Sequence, residues 1–223
     1  MLHTLTPDGL DAIEDGLDCI ALVLYHGHQG NVSPQMWNIF KQLLYIIVGD
    51  GTDPEGGYGF EYLSQVTVAI QNYISKDPER FLSVGEGNQE TFIALTFKFI
   101  ERALEINART EDKLDALVIL KILIAMLENL QGRIDEAIQF VVVICMRELE
   151  SSAKGTKNIR SMVLQTLCMS LWYNSALTFE LLKLGNHVIP FFQKLLELLP
   201  GLKHEFELRR VIFGLTAVIS TNP

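Results

Sequence analysis

Three groups of residues in this chain have types and spacings suited to chemistry. The segment GDGTDPEGGYGFEYL, residues 49–63, sets Asp50, Asp53, Glu55 and Glu61 among five glycines and three aromatics. Read as a calcium loop, Asp50 takes position one and Glu61 position twelve, but Pro54 falls at position five and Glu55 at position six, where the turn needs glycine. Read as a phosphate loop, it has no Gly-Lys-Ser/Thr, no strand before it, and four carboxylates that repel phosphate. His26 and His28 form an H-x-H pair with Cys19 seven residues upstream, yet no further His or Cys completes a zinc set. Glu101 and Glu105 stand one helical turn apart, as paired carboxylates can, but Lys98, Arg102 and Arg109 interleave with them as on a salt-bridged solvent face.

Nucleophilic catalysis would need an exposed nucleophile and a base oriented toward it. No G-x-S-x-G occurs, and Cys19, Cys145 and Cys168 sit in apolar helical runs, where reduced thiols are expected to be buried as small hydrophobes. The sequence thus predicts no catalytic constellation, no metal site and no cofactor; the chain is expected not to be an enzyme. The glycine-rich segment reads as an acidic connection between helices, with Tyr58, Phe60 and Tyr62 anchoring its return.

The elements that would position such residues are helices throughout, since apolar residues recur with helical period and nothing alternates with period two. Thr6 and Pro7 open a first helix running to about Tyr25, and Ser33 and Pro34 a second running to about Val48. Further helices are expected at about 60–75, 88–108, 111–130, 133–150, 157–173, 175–184, 188–200 and 202–220. Thr110 caps the fifth, with Glu111 and Asp112 favourably placed in its first turn. KDPERFLS, residues 76–83, reads as a short turn, and Gly185 with Asn186 as a helix stop.

Helix pairs are expected over approximately 6–48, 60–108, 111–150, 157–184 and 187–220, and the starts near residues 7, 58, 111 and 157 are spaced by about 45–53 residues, near the spacing of HEAT or armadillo repeats. The expected fold is all-α: a HEAT/armadillo-like α-solenoid of four to five antiparallel helix pairs, one segment over residues 1–223. Residues 116–130 show little polar surface beyond Lys121, Glu128 and Asn129, and such a helix must be covered on several sides, as stacked repeats do. The apolar last helix, closing on VISTNP, reads as part of a longer array.

Acids outnumber bases by 27 to 18, for a formal charge of −9. That balance disfavours nucleic acid and anionic membrane and favours basic partners. No secretory leader is legible at the N-terminus, and the most apolar run is too short to span a bilayer, so a soluble protein without membrane insertion is expected.

The stretch NIRSMVLQTLCMSLWYNSALTFELLKL, residues 158–184, resembles the importin-beta (karyopherin-beta) superfamily, in the branch of importins seven and eight. VSPQMWNIF (32–40), FEYLSQVTVAIQNYIS (60–75) and ELRRVIFGLTAVIS (207–220) resemble family helices in the same order. The resemblance covers most of the chain and rests on the collinear set rather than on any one motif. It implies part of a nuclear transport receptor that shuttles between cytoplasm and nucleus. Such a receptor carries basic cargo such as ribosomal proteins or histones, passes nucleoporins, and is governed by RanGTP through N-terminal repeats expected to lie outside this chain. It also implies that the second helix of each pair lines a cargo-facing side, which makes Glu101, Glu105, Asp135, Glu136 and Glu150 candidate contacts for basic cargo. Two other readings stay open: an export receptor of the same superfamily that recycles importin alpha, and a HEAT-type scaffold subunit unrelated to transport.

Overall fold

The structure, a computed structural model, describes residues 5–27, 32–49, 57–84, 90–109, 116–151 and 157–221. Its helices are α1 (Ile13–His26), α2 (Pro34–Val48), α3 (Leu63–Lys76), α4 (Pro78–Phe81), α5 (Phe92–Arg109), α6 (Ala116–Asn129), α7 (Asp135–Ser151), α8 (Lys157–Tyr173), α9 (Ser175–Leu184), α10 (Val188–Leu198) and α11 (Glu205–Thr221). Among the described residues no strand forms; Val84 and Thr91 make a single isolated bridge ahead of α5. The protein is all-α, and the helices stack in the manner of an α-solenoid within each of two compact units, Met1–Ile122 and Leu123–Pro223, which divide inside α6.

Several boundaries follow from local chemistry. Ser33 Oγ accepts the Met36 N–H at 3.3 Å, and Pro34, which has no N–H to leave unpaired, opens α2. Asn174 Oδ1 caps α9 through the Leu177 N–H at 3.1 Å. At the other end of α9 the left-handed residue is Asn186, with φ of 57°, rather than Gly185. The His187 N–H then closes back on the Leu182 carbonyl at 2.8 Å, satisfying an acceptor the helix would otherwise leave open. Other ends differ from expectation. Pro7–Ala12 is a 3-10 turn, and α1 starts only at Ile13. α5 starts at Phe92 rather than near 88, because Thr91 Oγ1 accepts the Ala94 N–H at 3.2 Å. The expected Thr110 cap lies outside the described residues.

In the first unit the closest packing joins like members of successive pairs, α1 with α3 and α2 with α5. Asn72 Nδ2 donates to the Ala21 carbonyl at 2.9 Å and Lys76 Nζ to the Gly27 carbonyl at 3.2 Å, so α1 and α3 run in the same direction. Ile13, Leu17, Ile20 and Leu24, spaced at helical period, form the buried face of α1. In the same unit Trp37, Phe40, Tyr73, Phe81 and Phe92 make one buried aromatic cluster; Trp37 lies 4.8 Å from Tyr73 and 4.5 Å from Phe92, centroid to centroid. Such pairs add roughly 0.5–1.5 kcal/mol each beyond the area they bury. Asp77 ties the cluster to α4: one carboxylate oxygen accepts the Trp37 indole N–H at 3.2 Å, the other the Arg80 N–H at 3.2 Å. The segment read as a short turn is thus a one-turn helix held by a buried carboxylate.

In the second unit α7 packs on α8 and α9, and α8 lies along α11. Residues 122–127 of α6 are all buried while Lys121, Glu128 and Asn129 are exposed, the pattern its sequence predicted. Gly214 of α11 makes the α8–α11 contact intimate: a Cβ there would stand 2.4 Å from the Cys168 carbonyl oxygen.

Candidate interaction surfaces

The glycine-rich segment enters the described structure at Gly57, and its return is anchored by backbone as much as by aromatics. The N–H groups of Gly57 and Gly59 donate to the carbonyls of Ile47 and Ile46, each at 2.8 Å, so the strip lies against the end of α2. A Cβ on Gly57 would sit 2.3 Å from the Ile46 oxygen, which is why glycine stands there. The Tyr58 hydroxyl and Gln42 Nε2 both donate to the Leu5 carbonyl, pinning the start of the described chain. Asp50, Asp53 and Glu55 lie outside the described residues, as does His28. Among the described residues no cluster of three or more His, Cys, Asp or Glu side chains could hold a metal ion. No described helix is long and apolar enough to cross a membrane.

The sequence-predicted acids sit on two helices. Glu101 and Glu105 are exposed on α5, and Glu105 is already engaged by Arg102 Nη1 at 3.2 Å, while Lys98 pairs with Glu90. Asp135 and Glu136 are exposed in the first turn of α7, where the helix dipole favours negative charge. The Ile134 N–H, ahead of that turn, donates to the Tyr173 hydroxyl at 2.8 Å, joining the start of α7 to the end of α8. Burial pushes the Tyr173 phenol up, and the nearby Asp135 charge adds to the shift. Glu150 falls in the last turn of α7, and its side chain lies outside the described residues. Glu101 and Glu105 thus share one face of α5, and Asp135 and Glu136 one helix start.

The most developed polar arrangement was not singled out from the sequence. Gln165 of α8 is buried, yet both ends of its amide are satisfied: Nε2 donates to Ser161 Oγ at 3.1 Å and to Glu207 Oε1 at 3.3 Å, and Oε1 accepts Arg210 Nη1 at 3.0 Å. Arg210 continues to Glu128 at 3.4 Å. Glu207 also receives the N–H groups of Lys203 and His204, both at 3.1 Å, closing the start of α11. Beside this ladder a cleft of about 360 Å³ is lined by Met169, Trp172, Phe206, Arg210 and Phe213, with Phe213 stacked on Trp172. The signal available in the sequence was a glutamine inside an apolar helical run.

The thiols divide. Cys145 and Cys168 are buried, which pushes both up, Cys168 to about 12. Cys19, expected to be buried, is exposed: it falls beside Asp18, off the stripe of Ile13, Leu17, Ile20 and Leu24 that α1 turns inward.

The chain matches no family model and no solved structure. It is 22% identical over 222 residues to a "Probable importin-7 homolog" of Dictyostelium discoideum, covering 98% of this chain and 19% of that protein. It is 24% identical over 153 residues to "Importin-8" of Danio rerio, covering 68% of this chain and 13% of that protein. The chain is distantly similar to these two importins. It spans about a fifth of the length of the first relative and less of the second. The similarity to the first of them extends along nearly the whole chain. The importin-like stretch noted in the sequence, residues 158–184, falls on α8 and α9, the helices that carry Gln165 and the Asn174 cap.

Proposed function

We propose that the chain is a HEAT-repeat portion of a nuclear transport receptor, one that carries basic protein cargo through nuclear pores without catalysis. The observation that carries this reading is the likeness to an importin-7 homolog over 98% of the chain, supported by helices that stack in the solenoid manner. The excess of acids, 27 against 18 bases, suits a basic cargo. On this reading the chain forms one array of helix pairs, the receptor shuttles between cytoplasm and nucleus, and RanGTP and nucleoporins are its other partners. Glu101, Glu105, Asp135, Glu136 and Glu150 are the proposed cargo contacts; the first four have exposed side chains.

The test uses the intact receptor. Cargo captured from a pool of ribosomal proteins and histones should be displaced by RanGTP, whereas cargo bound only together with RanGTP would make it an export receptor. Joint charge reversal at Asp135, Glu136 and Glu150 should weaken a basic cargo at low salt; unchanged affinity would remove those residues from the cargo surface.

A further inference from the structure

Charge is distributed unevenly along this chain. Residues 1–75 hold nine acids and one base, Lys41, while residues 76–223 are almost balanced, with eighteen acids and seventeen bases. The structure gathers part of that excess on one surface. At helical period, Asp11, Asp15, Asp18, Leu22 and Tyr25 fall on a single line along the first turn and α1, opposite the buried stripe of Ile13, Leu17, Ile20 and Leu24. All five are exposed, Leu22 at 57% and Tyr25 at 61%. Glu14 and Glu61 widen the acidic end: with Asp11 they lie near enough to Tyr62 to raise its phenol, after burial. The parallel α3 adds exposed Val68. The other end carries Lys76, the one Lys or Arg among the described residues of α1 and α3, whose ammonium sits 5.6 Å over the Tyr25 ring and donates to the Gly27 carbonyl. His26 closes that end, its ring 5.1 Å from that of Tyr25.

We propose that this outer face of α1 is a docking surface for an amphipathic segment of a partner protein, basic along one half and aliphatic along the other. The pattern commits to that occupant. An anionic membrane or nucleic acid meets five aspartates and glutamates, Asp11, Glu14, Asp15, Asp18 and Glu61, against a single lysine at the other end. A second copy laid head to tail sets acid against apolar side chains, and laid antiparallel across a two-fold brings no cation to the acids except Lys76. A segment with Lys or Arg over Asp11, Asp15 and Asp18 and aliphatic side chains over Leu22 and Tyr25 satisfies both halves. The surface shares with the transport reading only the sign of the partner's charge, and it stands on a different helix from the proposed cargo acids.

The experiment uses the 223-residue chain and a fluorescent helical peptide of about fifteen residues, matched to the length of α1. The peptide has lysines in one half and leucines in the other; a scrambled peptide of equal composition is the control. Anisotropy is read at low and at near-physiological salt. Asp15→Lys with Asp18→Lys should weaken binding about ten-fold at low salt and flatten its salt dependence. Leu22→Ser with Tyr25→Ser should weaken it several-fold at both salts. Glu180→Lys with Glu205→Lys, which alters net charge equally on α9 and α11, should leave affinity within about two-fold. Equal loss from both charge variants, equal binding of the scrambled peptide, or indifference to Leu22→Ser with Tyr25→Ser overturns the proposal. So does a dimer in light scattering that Leu22→Ser with Tyr25→Ser dissolves. None of these outcomes depends on cargo release by RanGTP, so the two readings fail separately.

Discussion

Gly214 of α11 rests directly on the backbone of Cys168 in α8, so closely that an added Cβ would stand 2.4 Å from the Cys168 carbonyl oxygen and 2.7 Å from its Cα. Helix propensity alone favours alanine over a mid-helix glycine by about 1 kcal/mol. The contact reverses that preference, because the obstacle is backbone and cannot rotate away. Gly214→Ala should therefore destabilise the protein by about 1–3 kcal/mol, the usual range for overpacking. Urea unfolding decides it: a gain in stability would mean that α8 and α11 are not this close.

Asp77 joins a helix start to the aromatic core through two hydrogen bonds, to the Trp37 indole and the Arg80 N–H. Asp77→Ala removes both acceptors and strands a buried indole N–H, an expected loss of about 1–3 kcal/mol. Asp77→Asn keeps an acceptor for the Arg80 N–H and should cost less. A double cycle with Trp37→Phe should show coupling, since each change removes the same bond.

The buried Gln165 amide should be intolerant of an isosteric apolar side chain. Gln165→Leu would leave Ser161, Glu207 and Arg210 short of partners they now have. A loss of about 1–3 kcal/mol in denaturant unfolding is expected. Adding Arg210→Met should cost less than the sum of the two single changes, because the guanidinium is then no longer left short of its acceptor.

Thiol reactivity should follow burial. At mildly alkaline pH a small electrophile should modify Cys19 in the folded protein, and Cys145 and Cys168 only after denaturant is added. Burial holds the Cys168 thiol protonated to about 12, against an ordinary value of 9.0. The folded state therefore binds a proton that the unfolded state releases between those values. The contribution of this thiol is complete below about pH 9 and is lost progressively as pH rises toward 12. Tyr73, whose phenol burial also raises, acts in the same direction above pH 10. The urea midpoint should fall from pH 8 to pH 10.5, and Cys168→Ala should reduce the slope; an unchanged slope would assign the fall to other groups.

How much of this was legible beforehand depended on range along the chain. Ser33 and Asn174 cap helices through bonds that span three residues, so α2 and α9 could be read from sequence to the residue. The inward stripe of α1 is equally local, and counting it strictly would have turned Cys19 outward. The failures at the start of α1 and α5 are also local: a 3-10 turn intervened in one, and Thr91 displaced the expected start in the other. Glu101, Glu105, Asp135 and Glu136 could be named as exposed acids because helical period places them, and Arg102, three residues before its partner Glu105, was legible in the same way.

Residue types and period determined, by themselves, that this protein is all-α and that residues 122–127 of α6 are all buried. Helical hydrogen bonds, caps and apolar stripes act over a few residues, so the order of side chains contains them. Only the tertiary structure decided which helices meet. Trp37 finds Asp77 across forty residues, Gln165 finds Arg210 across forty-five, and Arg210 reaches Glu128 across eighty-two. Gly214 marks where two backbones touch. Such pairings depend on the shapes both helices present at once, a property that no single stretch of either helix contains.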